Sequence, residues 1–108
     1  MKKNILITGG AGYIGSHVAE KINTNIYNII IYDNLVTGKK KLINKKAKFI
    51  KGDIKNLKQL SNTIKKNNIC FIIHLAAYLN IAEAEKKKGK YFKNNVEGTL
   101  NLVKACKN

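Results

Sequence analysis

The feature that most constrains this chain is the run Thr8-Gly9-Gly10-Ala11-Gly12-Tyr13-Ile14-Gly15, set directly behind the short apolar stretch Asn4–Thr8. It contains Gly10-x-Gly12-x-x-Gly15 and also Gly9-x-x-Gly12-x-x-Gly15. Either spacing alone is a weak signal. It gains meaning when a buried strand precedes it and an amphipathic helix follows. A sharp strand-to-helix turn needs the conformational freedom of Gly9 and Gly10. At Gly12 the missing side chain lets backbone N–H groups approach a pyrophosphate, whose charge the helix N-terminus favours. At Gly15 it lets the helix pack closely on a sheet. The plain alternative is a tight structural turn with no ligand.

The rest of the chain supplies that context. After the glycines, Ile14, Val18 and Ile22 recur at helical spacing and predict the inner stripe of a first helix. Asn23–Asn28 breaks it, and Ile29–Tyr32 predicts a second strand ending at Asp33. Ala47–Lys51 predicts a third strand, closed by Gly52-Asp53, and Asn56 can cap a helix with Leu57, Leu60 and Ile64 inward. Ile69–Ile73 predicts a fourth strand that runs into His74-Leu-Ala-Ala77. A loop to about Lys90 precedes a last helix with Phe92, Val96, Leu100 and Val103 inward. Short strands apolar throughout, alternating with helical stripes, predict an α/β fold: a doubly wound parallel sheet of four strands with crossover helices, in order 3-2-1-4. No internal repeat, low-complexity segment or domain linker interrupts it.

Two acidic residues stand where a dinucleotide needs them. Asp33 ends the second strand 18 residues after Gly15, placed to accept hydrogen bonds from both adenosine ribose hydroxyls. Its charge would repel a 2′-phosphate, which favours NAD over NADP, although Lys39–Lys41 nearby could soften that choice. Asp53 ends the third strand on the same edge, and on spacing it reads equally as an adenine contact or a turn residue. His74 reads as a satisfied, partly buried histidine before it reads as a catalyst. Glu83 and Glu85 have no carboxylate partner at a defined distance and receive no acid–base role.

Composition bears on partners. The net charge of +15 invites a nucleic-acid or anionic-membrane reading. All 21 basic residues, however, are Lys, and they are scattered over the predicted solvent faces. Arg, the residue suited to base readout and bidentate phosphate contact, is absent. Solvated faces are therefore expected, with neither a nucleic-acid nor a membrane partner. Cys70 and Cys106 lie 36 residues apart with no zinc-type spacing, as expected of free thiols in a reducing cytosol, and no metal site is expected. The apolar run Ile5–Ile7 is too short for a signal peptide, and no stretch could span a membrane, so a cytoplasmic location is expected.

Together these residues resemble the extended short-chain dehydrogenase/reductase family, in its NAD-dependent epimerase/dehydratase branch. The resemblance covers nearly the whole chain. It rests on Thr8–His17, Tyr32-Asp-Asn-Leu-Val-Thr-Gly38, Gly52-Asp-Ile54, Ile73-His-Leu-Ala-Ala77 and Tyr91-Phe-Lys-Asn-Asn-Val-Glu-Gly-Thr99. Asp33-Asn-Leu-x-x-Gly38 and Asn94-Asn-Val-x-Gly-Thr99 make it most similar to the N-terminal portion of the enzymes that interconvert UDP-glucose and UDP-galactose. The resemblance implies a Rossmann-like fold and NAD as cofactor. By position it implies that Gly9, Gly12 and Gly15 form the pyrophosphate loop, flanked by Tyr13 and Ile14. It further implies that Asp33, Asn34, Leu35, Val36, Thr37 and Gly38 wrap the adenosine ribose, and that Asp53 and Ile54 meet the adenine. Leu75, Ala76, Ala77 and Tyr78 would line the cofactor's path toward the nicotinamide, and Asn94 would hold it from the last helix. The implied substrate is a nucleotide sugar, and full-length members are often homodimeric.

The resemblance also implies a Ser/Thr and a Tyr-x-x-x-Lys pair, and no Tyr of this chain has a Lys four residues on. Smaller departures are Glu83-Ala84, where the family often carries Glu-Ser followed by Pro, and Ile26 in place of a helix-ending Gly. The expectation is therefore an incomplete sheet. Residues 1–108 are expected to form an N-terminal NAD-binding half-domain without its substrate domain and to contribute no catalytic residue. With the outer edge of the fourth strand, Ile69–Ile73, left without a neighbour, the isolated chain is expected to fold poorly and not to epimerise. The alternatives left open are a piece of another nucleotide-sugar dehydratase, decarboxylase or epimerase, and a non-catalytic NAD-binding remnant.

Overall fold

The computed structural model describes residues 2–76 and 92–107, with side chains from residue 95 onward in the second stretch. Strand β1 (Lys3–Thr8) leads through the glycine turn into helix α1 (Tyr13–Lys21). Strand β2 (Tyr27–Asp33) follows, then a single 3-10 turn at Lys40–Leu42 and strand β3 (Lys48–Lys51). Helix α2 (Leu57–Lys66) and strand β4 (Ile69–His74) come next. A π-helical stretch, Phe92–Glu97, runs into helix α3 (Gly98–Cys106). No described helix is long and apolar enough to cross a membrane.

All described strand pairs are parallel, and the order is β3-β2-β1-β4, as the alternating pattern predicts. The central strands β1 and β2 are buried on both faces because helices cover both, whereas the outer strands β3 and β4 are only partly buried and Phe71 is 48% exposed. Leu6, Ile30 and Tyr32 pack with Leu60 of α2 and Leu102 and Ala105 of α3. The alternate residues Ile5, Ile7, Ile29 and Ile31 pack with Ala19 of α1. Strand β2 begins two residues earlier than its apolar run, because Tyr27 and Asn28 continue the pairing onto Lys3 and Asn4. The amide of Asn28 also donates to Oδ1 of Asn4 at 3.0 Å.

Two of the expected helix faces are corrected. In α1 the buried residues are Gly15, Ser16 and Ala19. Ile14 is 54% exposed and Val18 half-buried; of that stripe only Ile22 packs on the core. In α3 the buried residues are Gly98, Leu102 and Ala105, whereas Val96, Leu100 (53% exposed) and Val103 face outward. The Phe92 side chain lies outside the described residues. One cause serves both cases. A Cβ at Gly15 would overlap the Gly9 carbonyl oxygen, and one at Gly98 would overlap the Ile54 side chain. At these two points the backbones come too close for a side chain, so the buried face is set around the glycine, by Ser16 and Ala19 in α1 and by Leu102 and Ala105 in α3. Helix α2 follows its expected stripe more nearly: Leu60 is buried and Ile64 packs on the core, with Thr63 buried and Leu57 at the rim. Asn56 caps it, its side chain accepting from the Gln59 amide at 3.1 Å.

Candidate functional site: the carboxyl ends of the central strands

Strand pairing brings the carboxyl ends of β1, β2 and β4 together: Thr8 lies opposite Tyr32 on one side and His74 on the other. The chain runs outward from β1 through β2 to β3 and returns beside β1 as β4. The crevice at that reversal is where open α/β sheets take ligands. The glycine turn forms its floor. Gly9 has φ +74°, and a Cβ there would lie 2.7 Å from the Leu75 carbonyl carbon. Its amide donates to the Tyr32 carbonyl at 2.9 Å, and the Gly12 amide returns to the Gly9 carbonyl at 3.1 Å.

Gly12 is the N-cap of α1 and provides no side-chain cap. The first-turn amides of Tyr13 and Ile14 thus have no intrahelical partner and point out of the helix end, an arrangement suited to an anion. No acidic residue lies in that turn to compete for them. Tyr13 and Ile14 are both exposed at the mouth, and the Tyr13 ring rests edge-on against His17 at 4.6 Å between centroids.

Asp33 joins this floor to the neighbouring loop. Although it is only 6% exposed, its carboxylate is well partnered. Oδ2 accepts from the Ala11 amide at 3.0 Å and Oδ1 from the Leu35 amide at 2.8 Å. Each carboxylate oxygen has room for a further donor. Leu35 takes a left-handed backbone (φ +63°) so that its amide turns back to Asp33. Gly38 leaves the carboxylate uncovered: a Cβ there would sit 2.8 Å from Oδ2. The Lys39 amide then donates to the Ala11 carbonyl at 3.0 Å and closes the 34–38 loop onto the glycine turn. Val36 and Thr37 are exposed on that loop, and the Val36 amide donates to Oδ1 of Asn34 at 2.9 Å.

Asn34 and Asp53 meet directly, the Asn34 amide donating to Oδ2 of Asp53 at 3.0 Å. The other Asp53 oxygen accepts from the Lys55 amide at 2.8 Å. Asp53 is thus a turn residue that is also joined to Asn34 of the neighbouring loop. Beneath it Tyr32 is buried, its hydroxyl donating to the Asp53 carbonyl at 3.0 Å and facing Oε1 of Gln59 at 3.3 Å. Burial, and secondarily the Asp53 charge, push the Tyr32 phenol up to about 12, so it stays a neutral donor. The Ile54 side chain is buried in the core, which leaves only its backbone for a ligand.

The residues after β4 reach the same floor. The Leu75 amide donates to the Thr8 carbonyl at 2.9 Å. The Ala76 amide lies 3.3 Å from the Thr8 hydroxyl. Of the remaining expected contacts, Ala77, Tyr78 and the Asn94 side chain lie outside the described residues, as do Glu83 and Glu85. The structure therefore brings the glycine turn, Asp33 to Gly38, Asp53, Leu75 and Ala76 to one crevice. Thr8, His74 and Thr99 form a connected group beside it that spacing did not single out, because their partners are 25 to 66 residues apart in sequence. Both cysteines are free and exposed.

The chain is similar to several known proteins. It is 39% identical over 101 residues to a UDP-glucose 4-epimerase of Lactobacillus helveticus, covering 94% of this chain and 31% of that one. The crystal structure of UDP-glucose 4-epimerase from Brucella ovis in complex with NAD superimposes with a TM-score of 0.90 at 38% identity, over 96% of this chain and 32% of that chain. The Thermotoga maritima UDP-glucose 4-epimerase with UDP-glucose gives 0.90 at 35% identity, over 94% and 33%. The chain thus spans about a third of the length of these relatives. The model of the NAD dependent epimerase/dehydratase family matches residues 5–108. Since that match takes in the glycine turn, Asp33 and every described helix, the chain belongs to the NAD dependent epimerase/dehydratase family.

Proposed function

We propose that these residues are the NAD-binding half of a UDP-glucose 4-epimerase. The pyrophosphate would lie over Gly9–Gly15 and the adenosine ribose on Asp33. The carrying observation is the Asp33 carboxylate, held by one amide of the glycine turn and one of the 34–38 loop, with acceptor capacity to spare. The uncapped first turn of α1 fits the pyrophosphate charge. Asn34, Leu35 and Gly38 shape the ribose side, Asp53 and the Ile54 backbone the adenine side, and Leu75 and Ala76 the path onward, continued by Ala77, Tyr78 and Asn94.

In this reading bound NAD supplies the hydride acceptor for reversible oxidation at C4 of the sugar. The residues of this chain bind and orient it, and none moves a proton on the substrate. The substrate, a nucleotide sugar, is read from the relatives, whose similarity favours the 4-epimerase over another dehydratase or a bare NAD-binding remnant. The 108 residues by themselves would bind NAD without turnover, because they contain no Tyr-x-x-x-Lys pair. Calorimetric titration with NAD, followed by an assay for UDP-galactose conversion, tests both parts. Saturable NAD binding without conversion is expected. Conversion by these residues alone would overturn the assignment of roles, and absence of NAD binding by a chain that circular dichroism shows to be folded would overturn the reading.

A further inference from the structure

Beside the crevice, six polar groups form a chain whose direction follows from counting hydrogens. Thr8 is fully buried at the end of β1. Its Oγ1 lies 2.6 Å from Nδ1 of His74, 3.1 Å from the Leu75 amide and 3.3 Å from the Ala76 amide. On the far side of the ring, Nε2 lies 3.0 Å from Oγ1 of Thr99, whose hydroxyl donates to the Asn95 carbonyl at 2.8 Å.

Amides only donate and carbonyls only accept. Thr99 gives its one hydrogen to Asn95, so toward the imidazole it must accept, and Nε2 must carry a hydrogen. Thr8 receives the Ala76 amide and shares the Leu75 amide with its own carbonyl, so its hydrogen is free for Nδ1. One neutral form of the ring satisfies every group, with hydrogen on Nε2 and none on Nδ1. In the other tautomer, or in the cation, Nδ1–H would face an oxygen that already receives amides. The Thr8 hydrogen would then lack an acceptor in a site with no solvent access.

We propose that His74 is a positioning residue for the dinucleotide site: as the Nε2–H tautomer it ties the Leu75–Ala76 backbone to β1 and α3, and protonation loosens that tie and weakens NAD binding. This rests on the NAD reading above. Gly9 packs directly on Leu75 and Ala76, so movement of that backbone reaches the pyrophosphate turn. Burial lowers the affinity of His74 for a proton below the ordinary histidine value, and the fold favours the neutral ring. The groups facing the ring are Thr8 from β1 and Thr99 from α3; among the described residues no acidic or basic side chain is hydrogen-bonded or ion-paired to it. A histidine whose folded pKa is depressed contributes its stabilisation above the unfolded value near 6.5, and that contribution is lost as pH falls through the folded value.

Nitrogen-15 NMR of the imidazoles reads the tautomer directly, and NAD titration at pH 7.5 and 5.5 reads the consequence. We expect a protonated Nε2 and a bare Nδ1 on His74 at pH 7.5, and a loss of NAD affinity at pH 5.5 that stays below about tenfold, because a folded value below 6.5 leaves the ring partly neutral there. His74→Asn, which keeps a non-titrating acceptor for Thr8, should bind NAD with a flattened pH profile. His74→Leu, which removes the acceptor, should bind weakly at both pH values. A His74 found as the Nδ1–H tautomer or as the cation at pH 7.5 overturns the proposal, as does an identical pH profile in wild type and His74→Asn. Absence of NAD binding to wild type at pH 7.5 would instead refute the cofactor reading, with the tautomer still decided by NMR.

Discussion

At the scale of single residues, Asp33 carries the most consequence. It was legible from its place at the end of a strand 18 residues after Gly15. What spacing could not show is that its carboxylate also holds two backbone amides, from Ala11 and Leu35. Asp33→Asn keeps one good acceptor and forfeits the charge, so NAD affinity should fall by roughly 10- to 100-fold in a calorimetric titration. Tyr32 was read only as the end of an apolar strand, because nothing local marks its hydroxyl as the support of Asp53. Tyr32→Phe should cost about 1 kcal/mol in urea unfolding at neutral pH. Gly15 was legible for its own reason, close approach of helix and turn. Gly15→Ala must push α1 away from the Gly9 carbonyl, and it should weaken NAD binding more than a surface change in the same helix such as Glu20→Ala.

At the scale of elements, strands were easier to read than helix faces. Each strand carries a continuous apolar run, whether buried on both sides like β1 and β2 or only partly like β3 and β4, and the runs locate all four to within two residues. The inward faces of α1 and α3 are not legible from the stripe of large apolar residues, because Ile14, Val96, Leu100 and Val103 are exposed. In α1 the contact is made by Gly15, Ser16 and Ala19, and in α3 by Gly98 and Ala105 on either side of Leu102; the small residues let the backbones approach. The corrected face of α3 makes a sharp prediction. Leu102→Ala should cost about 2–5 kcal/mol in denaturant unfolding of the chain, as buried leucines do. Leu100→Ala, on the exposed side, should stay within about 0.5 kcal/mol. Equal effects would restore the original stripe. The cap on α2 was foreseen from Asn56 alone, since a capping side chain acts over three residues of sequence.

At the scale of the whole molecule, the alternation of strand and helix and the order β3-β2-β1-β4 determine where the crevice lies. Residues far apart in sequence meet there because parallel pairing aligns the ends of β1, β2 and β4. The central claim is that this crevice is an NAD site that reads the ribose through the Asp33 charge. Parallel calorimetric titrations of wild type and Asp33→Ala with NAD and with NADP test it most directly. Wild type should bind NAD at least about tenfold more tightly than NADP, the worth of one charge-assisted contact, and Asp33→Ala should lose most of that preference by binding NAD less well. Equal affinity of wild type for the two dinucleotides, or an Asp33→Ala variant that binds NAD as wild type does, would contradict the account.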